Sequence, residues 1–354
     1  MRILQLIDSL APGGAERMAV NYANALSGKV PFSGLVATRK EGNLKNQLYA
    51  EVSYLFLERK TTFDFKALFK LRDYAVTHQI TFVHAHSSSF LMAVLLKIVY
   101  PKIKVIWHDH YGNSEFLKIR KKRALQFGSL FFYRIITVNS LLKEWVLRHL
   151  FCKSVDYLPN FVQLDQNKES IVLKGKSGKR ILCLANLRPQ KNHLLLLEAA
   201  KKIKVSAPEW TFHLIGKDFE DDYSKIIHQK IIQEELQETV FIYGASNAVA
   251  SAIQQSTIGV LTSLSEGLPV SLLEYGYFGL PVVATAVGEV PKVLDSKNGL
   301  LIPSSDLFLL VQALEKMIYN PDFRKSIGEQ LKKDIHLRHT QEPIMKKYLE
   351  GFNL

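Results

Sequence analysis

Two carboxylates, Glu266 and Glu274, stand eight residues apart in the otherwise apolar stretch SEGLPVSLLEYGYFGLPVVAT, residues 265–285. A helix that only builds a core has no use for them. IGVLTS (258–263) has the continuous apolar pattern of a buried strand, SEGLP that of a turn, and VSLLEYGYF that of a helix with Pro269 at its start. A strand–turn–helix joint of this kind attracts anions, because the first N–H groups of the helix and its dipole point out of the turn. One carboxylate there could serve only the dipole. Two that flank the turn suit hydrogen bonds to sugar hydroxyls, which a carboxylate accepts in pairs from a diol.

A second joint carries cations. In LANLRPQKNH (184–193), Asn186, Arg188 and Lys191 follow the strand RILCLAN and precede the helix LLLLEAAKKI. Arg188 and Lys191, three apart, could hold a diphosphate between them. A third joint, DSLAPGGAERMAV (8–20), places Gly13 and Gly14 where a backbone must come close to a ligand. It is not a dinucleotide fingerprint, since the third glycine and the distant acid are missing.

Four histidines and an aspartate end two strands: His84 and His86 in VHAHSS, and His108, Asp109 and His110 in VIWHDHYG. A metal site needs a third and fourth ligand at familiar spacing, and none stands nearby, so a polar wall that meets a hydroxyl or phosphate is the better expectation. The sequence has no Asp-x-Asp motif for a metal-bridged diphosphate, and no P-loop, zinc signature or GxSxG. Neither a metal nor another cofactor is expected.

Strands and helices alternate along the chain to place these joints. RILQLID, SGLVATR, VSYLFLE, FVHAH, KVIWHDH and RIITVN are the strands expected in the first half; RILCLAN, WTFHLIG, TVFIYG, IGVLTS and PVVATA those of the second. Nearly continuous apolar strands between amphipathic helices imply parallel sheets covered on both faces. The 354 residues are long enough for two such domains. A polar stretch with Pro159, Gly175 and Gly178 marks a linker over 159–180. The expected division is an α/β chain with two doubly wound, Rossmann-like domains, 1–163 and 164–339, facing a central cleft.

Composition is that of a soluble globular protein, 47% hydrophobic and 22% charged. Cys152 and Cys183 lack metal or CxxC spacing and are expected as buried thiols in a reducing compartment. No leader is visible, and the longest apolar runs, 90–100 and 124–138, are shorter than a membrane span. Residues 1–163 carry 23 Lys+Arg against 11 Asp+Glu, and 164–354 carry 23 against 22, so +12 of the net +13 lies in the first half. Lys118, Arg120, Lys121, Lys122 and Arg123 form its densest cluster, an expected footprint for an anionic partner or membrane surface. No nucleic-acid motif and no interleaved aromatics accompany it.

The same residues resemble a known family. SEGLPVSLLEYGYFGLPVVAT is similar to the E-x7-E signature of the family 4 glycosyltransferases, LANLRPQKN to their Arg-x-x-Lys turn, and GGAER to their amino-terminal glycine loop; LPNFV (158–162) and NGLLIP (298–303) match further landmarks. The resemblance implies a GT-B fold and metal-independent, retaining transfer of a sugar from a nucleotide donor, a UDP-sugar first, to a glycan or polyprenyl-pyrophosphate-linked acceptor of cell-surface polysaccharide or lipopolysaccharide synthesis. It implies that Arg188 and Lys191 stabilise the diphosphate, with Asn186 beside them in the donor site, that Glu274 holds the ribose and Glu266 the donor sugar, and that the backbone amides of Gly267, Leu268 and Val270, around Pro269, complete the phosphate and sugar site. Gly13 and Gly14 would approach the diphosphate. His108, or its neighbour His110, would be the active-site histidine, with His86 beside it on the acceptor side. The basic first domain would face the anionic inner membrane as part of a cytoplasmic, peripheral enzyme, with the last helix, about 340–354, returning to it. Lys292 departs from the family, which often has an acid there. Competing expectations are a GT-B epimerase, a phosphorylase-like enzyme and a nucleic-acid-binding protein that is not an enzyme.

Overall fold

A computed structural model describes residues 1–112, 114–162 and 169–352. The chain forms two compact units, 1–163 with 341–354, and 164–340. The expected join, with residues 163–168 of the linker expected over 159–180, lies outside the described residues.

The first unit holds strands β1 (Arg2–Ser9), β2 (Phe32–Lys40), β3 (Ser53–Phe56), β4 (Phe82–His86), β5 (Lys104–Asp109), β6 (Phe132–Thr137) and β7 (Val155–Tyr157). They pair in the order β3-β2-β1-β4-β5-β6-β7, every pair parallel. Successive side chains leave opposite faces of a strand. Val36 therefore joins the core under helices Phe65–Thr77 and Phe90–Val99, while Leu35 and Ala37 join a second core with Ala19, Val20 and Ala23 of helix Gly14–Leu26. The run at 90–100, too short to span a bilayer, is this covering helix. No helix among the described residues is long and apolar enough to cross a membrane.

The last helix, Gln341–Glu350, belongs to this unit. Arg134 Nη1 donates to the Tyr348 carbonyl at 3.1 Å, Phe352 packs edge-on against Phe82, and Tyr348 Oη lies 3.1 Å from His84 Nδ1.

The second unit holds β8 (Arg180–Leu184), β9 (Thr211–Ile215), β10 (Val240–Ile242), β11 (Ile258–Leu261), β12 (Val282–Thr285) and β13 (Leu300–Ile302), in the parallel order β10-β9-β8-β11-β12-β13. The edge strands β7 and β13, three residues each, were not among the strands expected, whereas β10, equally short and also at an edge, was. In each sheet the winding reverses at its first strand, between β1 and β4 and between β8 and β11. Doubly wound folds bind ligands at the carboxyl ends of such strands.

Candidate active site

The turn after β8 and the turn after β11 lie side by side and are stitched together. Thr262 Oγ1 donates to the carbonyls of Lys191 (3.0 Å) and Asn192 (3.2 Å), and Leu264 N–H to that of Gln190 (2.8 Å). The lysine reaches its site through a single turn of 3₁₀ helix, Pro189–Lys191, that ends at Asn192 with φ of 51°. That left-handed conformation suits asparagine better than most residues.

The stitching brings the side chain of Lys191 into an ion pair with Glu266 Oε1, which also accepts the Ser263 hydroxyl at 2.7 Å. Glu266 is buried, and its backbone is locked from behind. Gly288, at φ +55°, packs so closely that a Cβ there would lie 2.0 Å from the Glu266 carbonyl oxygen. Glu289 N–H donates to the Gly267 carbonyl at 2.9 Å, and Thr285 Oγ1 to that of Ser263 at 2.6 Å. Gly267, Leu268 and Pro269 are buried in this turn, and no side chain caps helix Val270–Phe278, which Pro269 opens. Glu274 lies half-buried on that helix.

One turn of that helix is bound to the sheet itself. The fully buried Tyr275 hydroxyl accepts Leu184 N–H at 2.7 Å and donates to the Leu182 carbonyl at 3.0 Å. It takes up backbone groups at the point where β8 and β11 diverge, since their register ends at Gly259↔Leu182.

Arg188 stays exposed, its guanidinium 3.9 Å from the centre of the Phe219 ring. Lys217 Nζ lies over the same ring at 4.6 Å. Sequence reading missed Lys217 and Phe219, although KDF directly follows the strand WTFHLIG and so had to emerge at the same sheet edge. Asn186 builds the turn, its Oδ1 accepting Lys217 N–H at 2.7 Å. Arg188, Lys191 and Lys217 thus gather on one edge, a charge distribution suited to a diphosphate.

Burial also sets the titration of nearby groups. It pushes the Cys183 thiol up to about 12, with Glu266 adding to the rise and Lys191 opposing it. It pulls His193 down to about 4, helped by the Lys191 charge. Both cysteines are free buried thiols. Lys292, the departure from the family pattern, pairs with Glu289 Oε2 at 2.8 Å, so an acid is present one helical turn away.

In the first unit the four histidines form one cluster. His86 and His108 are cross-strand neighbours in register, and His84 and His108 stack with ring centroids 5.2 Å apart. His86 Nδ1 lies 3.0 Å from His110 Nε2, and its Nε2 lies 2.9 Å from Gln5 Oε1. Burial keeps His84, His86 and His108 neutral, their pKa values well below the ordinary range, and pulls His110 to about 3. Candidate ligand nitrogens of His84, His86 and His108 lie within 4.8 Å of one another, a juxtaposition that ligand spacing did not reveal. His108 is fully buried and neither ring nitrogen has a hydrogen-bond partner, whereas His110 is partly exposed. Asp109 is no part of this wall. Gly13 and Gly14 lie at the start of helix Gly14–Leu26, with Gly13 extended at φ −171°.

The basic cluster needs one correction. Lys118, Lys121, Lys122 and Arg123 are exposed, but Arg120 turns inward. Its guanidinium forms a two-pronged ion pair with Asp109 at 2.7 and 2.8 Å and lies over the Trp145 and Tyr111 rings. A planar, weakly hydrated cation tolerates such burial where lysine would not. Arg120 is therefore a structural residue, unavailable to a membrane.

Comparison with known proteins agrees with this fold. Residues 12–166 match the model of Glycosyltransferase Family 4, and residues 165–334 that of Glycosyl transferases group 1. Over its whole length the chain is 25% identical to a Campylobacter jejuni α-1,4-N-acetyl-D-galactosaminyltransferase named for a PP-undecaprenol-linked glycan, covering 99% of it. It is 26% identical to an Escherichia coli α-1,3-galactosyltransferase named for UDP-Gal and a diphosphoundecaprenol-linked GlcNAc, over 72% of this chain and 70% of that one. Among solved structures, Anabaena HepE with UDP-glucose superposes with a TM-score of 0.81 at 16% identity, covering 99% of both chains. Staphylococcus aureus TarM gives 0.80 at 13%, covering 100% of this chain and 99% of that one. With two parallel Rossmann-like units of the GT-B kind and family matches that together run from residue 12 to 334, the chain belongs to the family 4 glycosyltransferases.

Proposed function

We propose that this glycosyltransferase moves a sugar from a UDP-sugar, with retention and without a metal ion, to a polyprenyl-pyrophosphate-linked glycan in cell-surface polysaccharide or lipopolysaccharide synthesis. The observation that carries the proposal is the Lys191–Glu266–Ser263 network at the β8/β11 edge, with Arg188 beside it. The carboxy-terminal unit holds the donor. Arg188 and Lys191 neutralise charge that develops on the departing diphosphate, the contribution a metal makes elsewhere. Glu266, oriented by a lysine and a serine, accepts hydroxyls of the donor sugar, and Glu274 those of the ribose. The amino-terminal unit receives the acceptor, with His110 making the contact and His86 and His108 behind it.

The UDP and the lipid-linked acceptor are drawn from the names of the Escherichia coli and Campylobacter relatives. Such an acceptor lies in a membrane, so we place the enzyme in the cytoplasm, peripheral on the inner face of the plasma membrane, and the basic first unit supports that placement.

The test is calorimetric titration of UDP, GDP and ADP into the wild type and Glu274→Ala with chelator present. Binding of UDP alone, lost in the variant, is expected. Absence of nucleotide binding overturns the donor site, and binding that requires a divalent ion overturns the metal-independent mechanism.

A further inference from the structure

We propose that Phe219 is a positioning residue of the donor site: its ring holds the Arg188 guanidinium, with Lys217 beside it, where the departing diphosphate lies. The inference rests on the donor reading given above and deepens it. A turn pattern supplies the cations; it does not explain what keeps an exposed arginine aimed.

The backbone puts ring and guanidinium at one level. β8 and β9 run in register up to Leu184↔Ile215, and Arg188 and Phe219 each stand four residues beyond that pair. The two loops stay clasped past the end of the sheet. Leu187 N–H donates to the Lys217 carbonyl at 2.9 Å, and Lys217 N–H to Asn186 Oδ1 at 2.7 Å. Only glycine permits so close a clasp, since a Cβ on Gly216 would lie 2.1 Å from the Ala185 carbonyl oxygen. Beyond it the chain turns away at Glu220, with φ of 56°. Phe219 is half-buried, and its ring centre lies 3.9 Å from the Arg188 guanidinium carbon.

The charges around the ring show what the arrangement serves. Arg188 is exposed, and a long solvated side chain samples many rotamers. An aromatic face that attracts the cation selects one of them in advance. Lys217 Nζ lies 4.6 Å from the centre of the same ring. Two cations on one ring repel each other, and an anion lying against both relieves that repulsion. Three of the four acids in DFEDD (218–222) are engaged elsewhere. Asp218 accepts His228 Nε2 and Glu220 N–H, both at 2.8 Å. Asp221 caps helix Asp222–Gln233 by accepting Ser224 N–H at 3.0 Å, and Asp222 pairs with Lys225 at 3.3 Å. These acids serve the helix, and the cations are left to the sheet edge. Charges held in place before the reaction favour the state in which negative charge grows on the leaving group.

The test is calorimetric titration of UDP into the full chain and into Phe219→Leu, Phe219→Tyr, Lys217→Gln, Arg188→Gln and Phe219→Leu/Arg188→Gln, with a melting temperature for each. Leucine keeps an apolar side chain but lacks the negative ring face, whereas tyrosine keeps both. Phe219→Leu should bind UDP ~5-fold more weakly at an unchanged melting temperature, and Lys217→Gln ~5-fold more weakly. Phe219→Tyr should bind as the wild type does. In the Arg188→Gln background, Phe219→Leu should weaken binding by less than ~2-fold, because the ring then has no guanidinium to hold. The same ~5-fold loss in both backgrounds overturns the positioning role in favour of direct contact between ring and nucleotide. Unchanged UDP affinity in Phe219→Leu overturns it outright, and unchanged affinity in Lys217→Gln removes the second cation. A loss that Phe219→Tyr shares, with a lowered melting temperature, makes the ring a packing residue only. A wild type that binds no UDP overturns the donor reading itself, whereas wild-type binding that Glu274→Ala loses keeps that reading whatever Phe219 does.

Discussion

Replacing Lys191 by methionine separates the two tasks of the Lys191–Glu266 pair. The lysine side chain is 21% exposed and the glutamate side chain 7%, so the carboxylate is the more committed partner. Two unit charges 4 Å apart attract by about 4 kcal/mol at an effective dielectric near 20, before desolvation is subtracted. Removing one member of a buried pair typically costs about 3–5 kcal/mol, because the other charge stays behind. Here the Ser263 hydroxyl at 2.7 Å still serves Glu266, and the lysine head reaches water, which lowers the cost to ~2–3 kcal/mol. At ~2–4 °C per kcal/mol for a unit of this size, the melting temperature should fall by ~5–10 °C. Glu266→Gln leaves no buried charge, and the freed lysine can turn to solvent, so it should cost ~1 kcal/mol. The double variant should cost less than the two single variants together, with a coupling of ~2 kcal/mol. Calorimetric melts of the four proteins near pH 7.5, in low salt, measure this, and transfer assays on the same samples should show every variant impaired. Additive single costs, agreeing within ~0.5 kcal/mol, would refute the claim that the pair holds the two turns together.

Tyr275→Phe removes one oxygen and leaves Leu184 N–H without its partner where β8 and β11 part. A cost of ~1–3 kcal/mol is expected as a shift in urea midpoint, and an unchanged midpoint would contradict it. His193 carries a pH signature. Its folded pKa is near 4 because burial disfavours the cation, while an unfolded imidazole titrates near 6.5, so the unfolded chain binds the extra proton in between. Stability from this group is therefore complete above about pH 6.5 and declines as pH falls toward about 4, by ~3 kcal/mol in all. Urea melts of wild type and His193→Leu at several pH values test it through their slopes: the variant should lose up to ~1.4 kcal/mol per pH unit of the acid-side dependence, and parallel slopes would sink the assignment.

Much of the fold and the site could be read in the chain because its signals are local. Unbroken apolar strands between amphipathic helices require parallel, doubly covered sheets, and the glycine-, proline- and charge-bearing turns fall where those strands must end. That Arg188, Lys191 and Glu266 stand in turns at the same sheet edge follows from the chain for that reason. Lys217 and Phe219 were equally local but carried no pattern that marked them. Other properties depended on which segments the fold brings together. Arg120 belongs to a run of five cations in sequence, yet Asp109, Trp145 and Tyr111 draw it inward, because a paired and stacked guanidinium is tolerated where a bare charge is not. His108 and His110 are two residues apart, and only the packing above β5 buries one and leaves the other partly exposed. The sequence by itself determined the architecture, the family and the residue types at the sheet edge. The tertiary structure alone decided which of those charges are neutralised and which face water, since burial and long-range pairing arise only when distant segments meet.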